Sequence, residues 1–84
     1  MTKEEILPKL KTIVEPYVEN QENFQKLSYQ TDFIKDLDIN SANLVDIVLD
    51  VEDEFNIEID NQAMEKMLTV EASIMVIQEK IKDH

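Results

Sequence analysis

Glycine and cysteine are both missing from this sequence, and each absence closes off a class of protein. Without glycine there is no Gly-rich loop to cradle a phosphate, and the tight turns of β-hairpins lose their usual residue. An all-β fold is therefore not expected. Without cysteine no disulfide staples the chain, although a core built from 84 residues is marginal. That usage fits a reducing compartment. No apolar run is long enough for a membrane span. Basic charge is scarce as well. Eight Lys and Arg stand against 19 Asp and Glu, for a net charge of −11, the wrong sign for a nucleic-acid binder.

The acids are not spread evenly. From Asp36 to Glu65 there are ten acidic residues and no lysine, whereas the rest of the chain has nine acids against eight lysines. Solubility alone does not require such a gathering. A basic protein surface is the partner this distribution fits. The apolar fraction, 43%, is enough for a folded domain despite the charge. The N-terminal "MTKEEILPKL" has no signal-peptide pattern, so the expectation is a cytoplasmic protein with one domain over residues 1–84.

Hydrophobic spacing predicts helices. The first covers about Lys3 to Glu15, with Ile6, Leu10, Ile13 and Val14 on one face. Thr2 followed by Glu5 reads as a capping box. Pro8 opposes this assignment, predicting either a kink or a later start, and Pro16 marks the end. Residues 19–32 read as a long loop tacked to the core by Phe24, Leu27 and Tyr29. The second helix covers Ser41 to Phe55, with Leu44, Ile47, Val48, Val51 and Phe55 as its buried stripe. Asp46, Asp50, Asp53 and Glu54 fall opposite, with Leu49 at the border beside them. A short helix follows around Asn61 to Lys66. The last runs from Val70 to Lys82, with Thr69 as N-cap and Val70, Ile74, Ile77 and Ile81 inward. The expected fold is all-α, a small bundle of three main helices plus one short helix. Met64, Met67 and Met75 read as core fillers, deformable enough to line a variable cavity.

Two chemistries compete at "DLDINSANLVDIVLDVEDEF", residues 36–55. Asp36, Asp38 and Asn40 alternate like the first ligands of a calcium loop. That loop needs glycine at its sixth position and a bidentate glutamate at its twelfth. Here those positions are Ser41 and Ile47, and the reading fails. Ser41 instead stands at the start of a helix, where N–H groups lack partners and the macrodipole is positive. It is either an ordinary N-cap or a phosphate acceptor. No histidine or cysteine accompanies it as a catalytic base. The lone histidine, His84, is terminal, so the chain is not expected to be an enzyme.

The wider pattern resembles the acyl carrier proteins, whose motif reads F-x-x-D-L-x-x-D-S-L, followed by an acidic helix ending E-E-x-F and then an isoleucine. Phe33, Asp36, Leu37, Ser41, Asp46, Val48, the run Val51–Phe55, Ile57 and Ile59 fall in register. "LTVEASIMVIQEKI" resembles the family's last helix, so the match extends ungapped to Ile81. Asn40 and Ala42 depart from the family's Asp and Leu. The first lacks a charge that helps hold the metal used in prosthetic-group transfer, and the second removes apolar area. The resemblance implies a 4′-phosphopantetheine arm on Ser41, installed by a phosphopantetheinyl transferase. It implies acyl cargo held as a thioester for fatty-acid or polyketide-type enzymes. Asp46, Glu52 and Asp53 match acidic positions that the family presents to basic docking patches, Asp50 adds a charge, and Leu49 lies within reach. The implied protein is a monomer with no resident metal. The alternative is an acidic helical interaction module without a prosthetic group.

Overall fold

In the computed structural model, which describes residues 1–82, helix α1 (Lys3–Val14) starts where its capping box places it. The Thr2 hydroxyl accepts the Glu5 N–H at 3.2 Å, and the Glu5 carboxylate accepts the Thr2 N–H at 3.0 Å. The latter bond holds the Glu5 carboxyl below its ordinary range. Pro8 therefore does not delay the start. It lies within the helix on the exposed side, where water can satisfy the carbonyl that its ring leaves without a donor. Pro16 ends the α-helix as expected, inside a 3₁₀ turn at Glu15–Tyr17.

The predicted long loop holds a helix of its own, α2 (Gln21–Gln25), capped by the Asn20 side chain on Asn23 N–H. Five residues are too few to show a stripe, which is why periodicity missed it. The rest of the connection is fastened by its backbone. Phe33 N–H donates to Leu68 O at 2.9 Å, Val70 N–H to Thr31 O at 3.0 Å, and Glu71 N–H to Tyr29 O at 2.8 Å. At its other end Glu19 and Asn20 donate to Leu37 O. Phe24, Leu27 and Tyr29 pack against the core.

A 3₁₀ turn, Ser41–Asn43, leads into α3 (Leu44–Phe55), followed by α4 (Asn61–Lys66) and α5 (Val70–Lys82). Asp60 caps α4 through Ala63 N–H, and Thr69 caps α5 through Ala72 N–H. The chain is thus all-α, with three long helices and two short ones among the described residues. His84 and Asp83 lie outside those residues.

The absence of glycine has a visible solution. Two turns need left-handed backbone, and Asp38 and Asn56 take it, each with φ of 54°. These are the residue types that tolerate that region best after glycine. Asn56 closes α3 by donating to Glu52 O.

The core joins Ile6, Leu10 and Val14 of α1 to Ile47 and Val51 of α3 and Val70, Ile74 and Ile77 of α5. Phe33, Leu37 and Ile39, from the connection before α3, complete it. These three fix the approach to Ser41. Ile39 is buried, its N–H donates to Phe33 O at 3.1 Å, and the chain then emerges at exposed Asn40 and Ser41.

Candidate functional site

Ser41 is not the helix cap. The Asn40 side chain takes that role, accepting Ala42 N–H at 2.9 Å, while Asn40 O accepts Asn43 N–H at 2.8 Å. Ser41 is thereby the first residue of the turn, and it is exposed. Its hydroxyl stands at the positive end of the Ser41–Phe55 run without the burden of closing it. The neighbouring Ala42 is exposed and presents no bulky side chain. An oxygen in this position can be reached by an enzyme and esterified without dismantling the cap. The residues present therefore fit a covalently attached phosphodiester.

From Ser41 an outer face runs down α3. Asp46 and Asp53 are exposed, and Asp50 lies between them, so the three form one acidic ridge. Asp50 is joined to the turn that follows α1: the Tyr17 hydroxyl donates to its carboxylate at 3.1 Å. This bond, with the Asp46 and Asp50 charges behind it, pushes the Tyr17 phenol up from its ordinary value. Glu54 pairs with Lys9 of α1 at 3.6 Å. Beside the ridge, Val45 and Leu49 are 51% and 52% exposed. Val45, Leu49 and Asp53 follow a strict four-residue row, and Ser41 stands one turn before it. An oxygen nucleophile, an apolar strip and a row of carboxylates thus share one face.

Comparison with known proteins identifies the family. No family model matches the chain. The acyl carrier protein of Petrotoga mobilis is 33% identical over 81 residues, covering 96% of this chain and 93% of the relative. That of Lactobacillus acidophilus is 35% identical, covering 92% and 94%. Among solved structures, the acyl carrier protein of Enterococcus faecalis superposes with a TM-score of 0.76 at 31% identity, covering 95% of this chain and 99% of that one. The chain belongs to the acyl carrier protein family. Its relatives are carriers rather than catalysts by name, and no described helix is long and apolar enough to cross a membrane.

Against that family frame, several sequence-derived positions fall elsewhere. Glu52 does not join the ridge. It is half-buried, and its carboxylate accepts Ile59 N–H at 2.7 Å, which fixes the α3–α4 connection. Met75, expected in the core, is 56% exposed, whereas Met67 is 3% exposed and Met64 packs beside it. The stripe of α5 turns Met75 outward, because Val70, Ile74 and Ile77 already take the inner face. Val45 was missed, although its spacing of four from Leu49 was a readable signal. The would-be calcium ligands have other duties. The Asp36 carboxylate accepts Asp32 N–H at 2.8 Å, and Asp38 supplies a left-handed turn. No group of three or more potential ligands is close enough to hold a metal ion among the described residues.

Proposed function

We propose that Ser41 carries 4′-phosphopantetheine and that the protein, a single cytoplasmic carrier domain acting as a monomer, presents acyl groups to biosynthetic enzymes. The observation that carries this reading is the exposed Ser41 hydroxyl, relieved of capping by Asn40, at the head of an acidic helix in an acyl carrier protein fold. When attached, the arm supplies a thiol that holds the acyl group as a thioester. The chain's own residues do the rest. Ile39, Leu37 and Phe33 anchor the approach, so Ser41 is offered from a fixed point. Asp46, Asp50 and Asp53 steer a basic docking patch of a phosphopantetheinyl transferase or acyl-processing enzyme toward that point. Leu49 and Val45 add apolar contact that salt does not screen. The exposed Ala42 leaves the serine open but gives the transferase little to hold.

Intact mass after incubation with coenzyme A and a pantetheinyl transferase tests the assignment. The native protein is expected to gain one phosphopantetheinyl group and Ser41→Ala none. Gain of the group by Ser41→Ala, or no gain by the native protein with several transferases, overturns it. The second outcome would favour the alternative of an acidic interaction module with no arm.

A further inference from the structure

The bundle's interior is divided. Val70, Ile74 and Ile77 of α5 belong to the main cluster with α1 and α3. Val76 of α5 belongs to a second cluster with Val48 and Met67, against which Ala63 and Met64 of α4 pack. Ser73 stands three residues after Val70, three before Val76 and four before Ile77, so on the surface of α5 it borders both clusters. It is fully buried, and its Oγ has no hydrogen-bond partner among the described residues. Its N–H is used, donating to Thr69 O at 3.0 Å. A buried hydroxyl without a partner is destabilising, and buried polar groups are otherwise almost always satisfied. Alanine would fill the same place without that penalty. The hydroxyl therefore needs a reason outside the unloaded fold.

The second cluster is the part of the interior best suited to open. Its cover, α4, has six residues. One of its members, Met67, and one residue packed against it, Met64, are methionines, which repack readily. Two surface clefts reach it: one of about 160 Å³ between α4 and α5 touches Ala63 and Val76, and one of about 420 Å³ touches Ile59 beside Glu52. Val48 lies on α3 seven residues beyond Ser41, roughly 10 Å along the helix axis. Cargo on an arm at Ser41 has this seam within reach.

We propose that Ser73 is a specificity-determining residue for cargo: its hydroxyl pairs with an acyl chain bearing a hydroxyl or carbonyl oxygen, which enters between α4 and α5 along the seam between the two clusters. This rests on the carrier reading of Ser41. A hydroxyl donates to a carbonyl, or both donates to and accepts from another hydroxyl. A saturated chain gains apolar burial alone and leaves Ser73 without a partner. The carrier thus holds an oxygenated chain more firmly than the saturated chain made from it by reduction and loss of the oxygen.

The test loads the arm with a saturated chain and with chains of equal length carrying a hydroxyl or carbonyl at successive carbons. Each loaded form is melted as the native protein and as Ser73→Ala. In the native protein, at least one oxygenated chain is expected to raise Tm above its saturated counterpart by ~4–8 °C, the shift of one net hydrogen bond in a domain of this size. Unloaded Ser73→Ala is expected to melt no lower than the native protein, and its oxygenated increment to vanish. An increment that persists in Ser73→Ala, or the lack of any increment in the native protein, overturns the inference alone. Failure of the arm to attach at Ser41, seen by mass before any melt, overturns the carrier reading and this inference with it.

Discussion

Helices α1 and α3 are each 12 residues long and face one another across the core, yet their outer surfaces have little in common. Inward they do the same work: Ile6, Leu10 and Val14 on one side meet Ile47 and Val51 on the other. Outward, α1 mixes Lys3, Lys9 and Lys11 with Glu4 and Glu5. Helix α3 has no lysine, five carboxylates, and Val45 and Leu49 in solvent. Burial constrains both inner faces equally, since each apolar side chain removed from water contributes about 1.5–3 kcal/mol. The outer faces are free of that constraint, and only α3 uses the freedom to gather one charge and exposed apolar area. Stability is shared between the two helices, whereas the proposed recognition belongs to one.

Charge exchange is the strongest way to break this asymmetry. Asp46→Lys with Asp53→Lys is expected to slow association of the arm-bearing protein with a cognate enzyme by ~10-fold or more at low salt, and less at high salt. Lys11→Glu on α1 should leave that rate within ~2-fold, because it changes charge outside the proposed docking face. Stopped-flow binding at two salt concentrations distinguishes the cases. Equal sensitivity of the two helices would remove the distinction between them.

Truncation of the apolar strip should act on the other rate. Leu49→Ala, alone or with Val45→Ala, is expected to speed dissociation by ~3–10-fold with little salt dependence, since apolar burial is not screened. Dissociation followed by dilution of a preformed complex measures this. An effect confined to the association rate would mean that Leu49 acts through the ridge.

A smaller effect separates the two residues at the head of α3. Asn40→Ala removes the cap and should cost about 1 kcal/mol by chemical denaturation. Ser41→Ala, which removes no cap, should stay within ~0.5 kcal/mol while abolishing modification. A larger loss from Ser41→Ala than from Asn40→Ala would reverse the assignment of the cap.

The smallest effect concerns the link between the halves. Tyr17 donates to Asp50, and that bond raises the phenol above its ordinary value. Its contribution to stability is therefore fully present below the ordinary tyrosine range and is lost as pH rises through the elevated folded value. Tyr17→Phe is expected to lower stability slightly at neutral pH, where the bond contributes, and to flatten the alkaline limb of a stability-versus-pH curve, so that the two proteins converge at high pH. An identical alkaline limb in both proteins would show that the bond does not couple the turn after α1 to the ridge.

The sequence by itself determined the elements whose cause is local. The Thr2–Glu5 capping box, the inner stripes of α1, α3 and α5, the Thr69 cap and the acid gathering all depend on residues within a few positions of each other. Those short-range rules also put Ser41 at the head of α3 and Asp46, Asp50 and Asp53 in one row on its outer face, whereas the reading of Ser41 as an attachment point came from the resemblance to acyl carrier proteins. They could not choose between Asn40 and Ser41 as cap, because both side chains are suited to the task and stand side by side. Only the tertiary structure decided the rest. Glu52 turns to Ile59 across the α3–α4 connection, Tyr17 reaches Asp50 over 33 positions, Met75 is displaced outward, and Ser73 is sealed at the border of two clusters. Each of these depends on where a second element lies in space, and residue spacing along one chain does not encode the position of a neighbour it meets only after folding.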